Sequence, residues 1–363
     1  MNILVVNAGS SSLKLAIVDP DDQVARGRDL PPPPPGALGE TLGAFLAAGP
    51  EIGAVGHRVV HGGERFVEPV VLDASSEGVL RELAELAPLH NPPSIAAIEA
   101  IERLGVDLPQ VACFDTAFHA HLPPRAATYA LPEEWRRRFG IRRFGFHGLS
   151  HAWASRRAAE LLGRPAEGLR LVTAHLGAGA SLAAVRSGRS VDTTMGFTPL
   201  EGLVMATRSG TIDPGLLLFV LRHSGATLDE VEDALEHRSG LLGLSGVSAD
   251  LREVLAAADL GQEAAALAYE VFVYRIRTSI AAMAAATSGL DALVYTGGAG
   301  TASARLRADV SAGLAFLGIE LDEQLNAAGA TDRVISARSA RVASVVVEAR
   351  EDLEIAGHVR RLL

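Results

Sequence analysis

Along this chain, apolar residues gather in short runs that break on glycine, serine or proline, and recur at helical spacing in the longer stretches between. In NILVVNAGSSSLKLAIVD, residues 2–6 and 12–18 predict two strands joined by a Gly/Ser turn, with β-branched residues and leucine on both sides. A helix over 38–48 and a strand within EIGAVGHRVVHGG come next. HNPPSIAAIEAIERLG predicts a helix with Asn91 as its cap, prolines in its first turn, Ile95, Ile98 and Ile101 on one face, and Gly105 past its end. The strand QVACFD ends on Asp115. In the second half a helix over 149–162 precedes LRLVTAHLGAGASLAAVRSG, which again reads as strand, turn and strand. A long alanine-rich helix (261–288), a strand (292–298), a helix (302–317), the strand ASVVV and a terminal helix (350–362) complete the pattern. Strands alternating with helices in this way define an α/β class.

The two strand–turn–strand units resemble each other, and an internal duplication is the economical reading. The five prolines at 31–35 cannot pair in a sheet and predict an exposed polyproline loop. At 363 residues the chain is long enough for two domains. A net charge of −10 argues against nucleic acid or an anionic membrane surface as the main partner. No uncharged apolar run of about 20 residues exists; the nearest candidate, 264–286, carries Glu270, Arg275 and Arg277. The N-terminus lacks the basic region of a secretory signal. The sole cysteine, Cys113, lies in an apolar run and predicts a buried thiol in a reducing compartment, so a cytoplasmic location is expected. Lys and Arg together number 33, and Lys14 is the one lysine among them. A chain that uses arginine everywhere else keeps a lysine in its first hairpin.

Three turns are rich in glycine: NAGSSS (7–12), HLGAGAS (175–181) and TGGAGTAS (296–303). Small residues let backbone N–H groups close on an anion, and serine hydroxyls add donors. No Walker loop is present, and GAGAS leads into a strand where a dinucleotide fingerprint would lead into a helix. Singly each turn is more simply a tight turn; together, two duplicated hairpins and a late glycine turn opening a helix are similar to the actin-like ATPase (RNase H-like) layout. That layout implies two domains with a central cleft, phosphate loops on either side and closure that excludes water.

Longer stretches narrow the resemblance. NAGSSSLKLAI, GHRVVHGGE, APLHNPPSI, FDTAFHAHLP, RRFGFHGLSH, FTPLEGLVMATRSGTIDPG and SGVSADLREV, in this order, resemble the acetate kinase family over nearly the whole chain. The resemblance implies transfer of the ATP γ-phosphoryl group to acetate, giving acetyl phosphate and ADP, with Mg²⁺ (Mn²⁺ as a substitute). It implies a homodimer, a first domain of residues 1–116 plus 348–363, and a second of 117–347. Both reactants are anions, so the reaction needs fixed positive charge and a cation more than covalent help.

Residue by residue, the resemblance makes Arg58 the clamp on carboxylate and phosphoryl group, Arg208 a planar fork for an equatorial phosphoryl oxygen, His147 a transition-state donor and Asp115 the group that positions acetate and magnesium-bound water. Without it, Arg58 could be one surface arginine among many, Asp115 a strand-end cap, and His147 with His151 a loose pair lacking the glutamate of HExxH. Asn7 and Glu351 match the metal-binding positions. Val60, Leu89, Phe146 and Pro199 match the small apolar slot for the acyl methyl, or are plain core. Such a slot favours acetate over propionate and butyrate, one methylene deciding about 10–200-fold. The nucleotide would meet Lys14, Ser10 and Ser12 in the first hairpin, with alternation turning Lys14 toward the two serines. It would meet His175, Leu176, Gly177, Ala178 and Gly179 in the second, then Asp250, Leu251 and Arg252, and Gly298, Ala299, Gly300, Thr301 and Ala302 under the adenosine. His119, His121 and His151 are read as structural, and His57 and His61 receive no role. Ala178, where the family carries asparagine, and Thr301-Ala302, where it carries Glu-Asn, both fall on the nucleotide side. They leave weakened nucleotide binding or another donor such as pyrophosphate open, beside a propionate or butyrate kinase and a non-catalytic nucleotide-binding relative.

Overall fold

The structure is a computed structural model that describes residues 1–9, 12–34, 36–84, 91–105, 107–329 and 332–363. Contacts divide the chain into two units: Met1–Ala120 with Phe146–Trp153 and Arg350–Leu363, and His121–Gly145 with Ala154–Ala349.

The first unit is built on a six-stranded sheet. Its strands are β1 (Ile3–Ala8), β2 (Leu13–Val18), β3 (Val24–Leu30), β4 (Ala54–Val59), β5 (Val70–Val71) and β6 (Gln110–Phe114), in the order β3-β2-β1-β4-β6-β5. The first three strands are antiparallel and β1, β4 and β6 run parallel. Parallel strands are covered on both faces, and here alternate residues of β1 divide between two cores. Leu4, Val6 and Ala8 pack with Leu42, Phe45, Ala97 and Ile101 from the helices Leu38–Ala47 and Asn91–Arg103. Ile3 and Val5 pack with Cys113, Leu149, Ile355 and Val359, under the terminal helix Glu351–Leu362. Cys113 is buried as its setting predicted, and burial pushes its thiol pKa up.

The second unit repeats the plan with β7 (Arg170–Leu176), β8 (Ala180–Arg186), β9 (Arg189–Thr193), β10 (Ala292–Thr296), β11 (Arg333–Val334) and β12 (Ala343–Val346), in the order β11-β12-β10-β7-β8-β9. The order β3-β2-β1-β4-β6 of the first sheet recurs as β9-β8-β7-β10-β12, with the same antiparallel and parallel pairings. The duplication expected from two similar hairpins thus extends to the whole sheet. The helix Glu263–Ala286 lies along β7, β8 and β9, with Phe272, Ile276 and Ile280 buried. Among the described residues no helix is long and apolar enough to cross a membrane.

Three details depart from the hydropathy reading. VARGRDL forms β3 although it does not alternate, because it is an exposed edge strand paired with β2 alone and needs no apolar face. Arginines, an aspartate and the prolines that follow blunt that edge against further pairing. Asn91, expected as the cap, is the first described residue of its helix and is fully buried, with its side chain committed to His61. Its amide accepts from the His61 N–H and donates to the His61 carbonyl, both at 3.0 Å, so it braces the turn after β4. The run from 302 to 317 is two pieces, helix Ala304–Ala312 and a short turn of 3-10 helix at Ala315–Leu317.

Candidate active site

In the first unit, side chains converge where β1, β4 and β6 end, the usual place for a ligand in an open parallel sheet. Arg58, one residue from the end of β4, donates to Asp115 Oδ2 through Nη2 (2.5 Å) and Nε (3.1 Å) and to Asn7 Oδ1 through Nη1 (3.2 Å). Asn7 Nδ2 in turn donates to Glu351 Oε2 at 3.0 Å. Four residues from β1, β4, the end of β6 and the first turn of the terminal helix thus form one polar chain. Asp115 is almost wholly buried and Arg58 nearly so. Burial alone would lower the Arg58 pKa, but the Asp115 and Glu351 carboxylates outweigh it and hold the guanidinium charged. Lys14 stands directly opposite Asn7 on β1 and Asp29 on β3; its Nζ is 3.8 Å from Asp29 Oδ2 and largely exposed. Ser12 lies one turn of the alternation away, and Ser10 is outside the described residues.

Among the described residues no three His, Cys, Asp or Glu side chains gather as a ready-made metal cage. Mg²⁺ is commonly held by one or two protein oxygens plus substrate phosphate and water. Glu351 fits the part: Oε2 holds Asn7, and among the described residues Oε1 has no hydrogen-bond partner.

His147, the residue after Phe146, is in the left-handed region at φ 56°, a conformation that costs a non-glycine residue about 1–2 kcal/mol and concentrates at functional positions. The next residue, Gly148, opens the helix Gly148–Leu161 and donates to the Asp115 carbonyl at 3.0 Å. A Cβ at Gly148 would stand 2.0 Å from that oxygen, so only glycine lets the His147 turn and Asp115 approach so closely. The His119 ring nitrogen bonds the Phe146 carbonyl at 3.1 Å, and burial lowers its pKa to about 4. Phe146 is buried and meets His61 edge-on, with centroids 5.4 Å apart; Val60, the residue before His61, is buried too. Leu89, the third member of the expected acyl slot, lies outside the described residues.

The second unit holds Pro199, Arg208 and the later turns. Arg208 Nη1 donates to the Pro199 carbonyl at 2.9 Å, and Nε faces Glu236 Oε2 at 3.5 Å. Burial lowers the Arg208 pKa, with Glu236 opposing it. The Ala206 N–H donates to the Ala178 carbonyl at 3.1 Å, which ties the Arg208 stretch to the turn His175–Gly179. That turn leaves β7 beside the end of β10, where Thr296 pairs with His175. The residues 298–302 lie in the short helix Gly297–Ala302 that follows β10. The structure therefore brings His175, Leu176, Gly177, Ala178 and Gly179 next to Gly298, Ala299 and Gly300, while Thr301 Oγ1 is spent inside its own helix on the Gly297 carbonyl. Arg307, fully buried, donates to the carbonyls of Gly300 and Thr301 and to Asn326 Oδ1, and burial pulls its pKa down to about 10. Asp250 caps the helix Leu251–Asp259 and grips the exposed Arg252 guanidinium, whose hydrogen bonds lower its pKa to about 2. A separate cavity of about 680 Å³ behind the Arg208 turn is lined by Ser209, Ser239, Gly240, Arg238, Arg275 and Thr278, and by none of the residues expected to bind nucleotide or acyl group.

Sequence reasoning passed over Gly148, Arg307, Glu236 and Glu201. Glu201 and Gly148 carried a signal, their places within FTPLEG and GFHGLSH; Arg307 and Glu236 carried none.

Within each six-stranded sheet, three antiparallel strands followed by two more parallel to the third, duplicated with glycine-rich turns at the strand ends, form the architecture of the actin-like phosphotransferases. Solved structures agree. An acetate kinase of Porphyromonas gingivalis superposes with a TM-score of 0.92 at 37% identity over 99% of each chain. A propionate kinase of Francisella tularensis superposes at 0.90, with 37% identity over 98% of each. The acetate kinase of Synechococcus sp. is 46% identical over all of this chain and 99% of its own. The profile of the Acetokinase family matches residues 41–357, and the chain belongs to that family, whose members transfer phosphoryl groups to carboxylates.

Proposed function

We propose that this chain transfers the γ-phosphoryl group of ATP to acetate, reversibly, by direct in-line displacement. The observation that supports it best is Arg58, a buried guanidinium pinned between Asn7 and Asp115 where the parallel strands end. Acetate and a phosphoryl group repel each other, and a fixed buried cation offsets that repulsion at no cost in reorganisation. Asp115 positions the acceptor and need not take a proton, since acetate is already ionised. His147 donates a hydrogen bond to the transferring group, and Arg208 takes an equatorial oxygen; losing such an arginine costs about 10³-fold or more. Asn7 and Glu351 would hold Mg²⁺, or Mn²⁺ in its place, which when bound neutralises phosphoryl charge. Lys14, Ser10 and Ser12, the two glycine turns and the Asp250–Arg252 stretch are assigned to the nucleotide. Val60, Leu89, Phe146 and Pro199 are assigned to the acyl methyl.

In this reading the protein is a cytoplasmic homodimer. Leu216, Leu218 and Phe219, about half exposed on the helix Pro214–His223, support a partner copy. Sedimentation would report a monomer if that is mistaken. Propionate is the second acceptor worth weighing, because among solved structures a propionate kinase matches this chain nearly as well as an acetate kinase does. The deciding experiment is acyl hydroxamate formation from acetate, propionate or butyrate, with Mg²⁺ and either ATP or pyrophosphate. A strong signal with acetate and ATP is expected. A signal with pyrophosphate alone would replace the donor, and silence with both donors would refute catalysis.

A further inference from the structure

Within FTPLEG, Glu201 has no part in the reaction as described so far, yet it is the centre of a clamp. Its Oε1 accepts from Arg143 Nη2 at 2.7 Å, and its Oε2 accepts from the Tyr129 hydroxyl. Arg143 Nη1 reaches on to the carbonyls of Thr194 (3.0 Å) and Met195 (2.9 Å). The Tyr129 oxygen accepts the Phe197 N–H at 2.9 Å, and the N–H groups of Phe144 and Gly145 donate to the Gly196 carbonyl. The loop 194–201 is therefore held along its length by residues 129 and 143–145. The clamp fills its space: a Cβ on Gly196 would stand 1.7 Å from Glu201 Oε2 and 2.1 Å from the Tyr129 oxygen.

The loop's outward product is the Pro199 carbonyl, and that carbonyl holds Arg208 Nη1. With Nε facing Glu236, two of the three guanidinium nitrogens are committed to protein, and among the described residues Nη2 has no hydrogen-bond partner. A planar fork is useful only at the right angle, and an error of about 1 Å in such a group can cost 10²-fold in rate.

We propose that Glu201, through Tyr129 and Arg143, is a positioning residue for Arg208, setting the Pro199 carbonyl that aims the free Nη2 edge of the guanidinium. The inference rests on the reading of Arg208 as a transition-state group. Arg208 touches the reacting phosphoryl group in that reading, and Glu201 acts only through it.

The test is a double-mutant cycle on the full-length protein, with steady-state kinetics from acetate, ATP and Mg²⁺. Glu201→Gln removes the charge that holds Arg143, and Tyr129→Phe removes one hydroxyl with less risk to folding. Each is made alone and in an Arg208→Ala background. Expected is a fall in kcat of about 10–100-fold in the single variants, with KM for acetate and ATP within about threefold. In the Arg208→Ala background the further loss disappears, because the positioned group is already gone. A purely structural clamp would give losses that multiply through the cycle, and that result overturns the inference. So do wild-type kcat values in both single variants while Arg208→Ala is inactive. Normal turnover in Arg208→Ala itself would instead bring down the assignment of Arg208, and this inference with it. Should Glu201→Gln fail to fold by circular dichroism, Tyr129→Phe decides alone.

Discussion

Removing Asp115 should cost the first unit a definite amount of stability, apart from any effect on turnover. In the fold, Arg58 gives two hydrogen bonds to Asp115 Oδ2 and one to Asn7, and it is only 15% exposed. Asp115→Ala leaves that guanidinium buried with Asn7 and the more distant Glu351 charge as its compensation. Truncating one partner of a buried pair costs about 3–5 kcal/mol, and the Glu351 attraction places this case near the lower end, about 3 kcal/mol. For a unit of this size, that corresponds to a fall in melting temperature of about 6–12 °C. Trp153 lies in the first unit and Trp135 in the second, so thermal and urea unfolding are followed by Trp153 fluorescence in a Trp135→Phe background. An added anion should partly restore the variant, because sulfate can take the carboxylate's place against Arg58. The stabilisation by sulfate should therefore be larger in Asp115→Ala than in the wild type. A loss below about 1 kcal/mol, or equal sulfate effects in both proteins, would refute the buried-pair account.

Other perturbations separate stability from chemistry. Lys14→Ala breaks only an exposed pair with Asp29, so stability should move by less than about 0.5 kcal/mol while turnover falls; unaltered kinetics would make the lone lysine a surface accident. Gly148→Ala forces a Cβ to within 2.0 Å of the Asp115 carbonyl and should cost about 2–4 kcal/mol together with most of the activity. A variant with native melting and turnover would show that the close approach is dispensable. Acid should destabilise the first unit through His57 and His119, whose pKa values burial lowers from 6.5 to about 4. Between those values the unfolded chain binds protons that the fold does not. Stability is therefore complete above pH 6.5 and is lost as pH falls toward 4, at up to about 2.7 kcal/mol per pH unit for the two together. Denaturant unfolding at pH 7.5, 6 and 5 measures this, and His57→Gln should remove about half of the slope.

Where helix and strand periodicity was strong, the elements stand within a residue or two of the expected limits: the first hairpin, the helix Leu38–Ala47, the strand Gln110–Phe114 and the helix Glu263–Ala286. These segments bury a face, and burial writes a period into the sequence. β3 is an exposed edge strand rich in arginine, and β9 a five-residue, half-buried edge strand; both are held by backbone pairing that leaves no such period. Asn91 has the residue type and the flanking prolines of a cap, yet tertiary contact with His61 took its side chain. Motifs located Arg58, Asp115, His147 and Arg208 because each sits in a distinctive short string. Gly148, Glu201 and Arg307 escaped because their importance is a distance to something far away in the chain.

The sequence alone determined the class, the duplication, the charge balance and the residue types available for phosphoryl transfer, since periodicity, composition and motif are local properties. Only the tertiary structure decided that Arg58, Asn7, Asp115 and Glu351 form one chain of hydrogen bonds, across as many as 344 residues of sequence. It alone tied the Ala178 turn to the Arg208 stretch and placed Glu201 behind Pro199. A side chain's partners are set by which strand ends the sheet order brings together. That order is a property of the whole packed core, which no short window of residues contains.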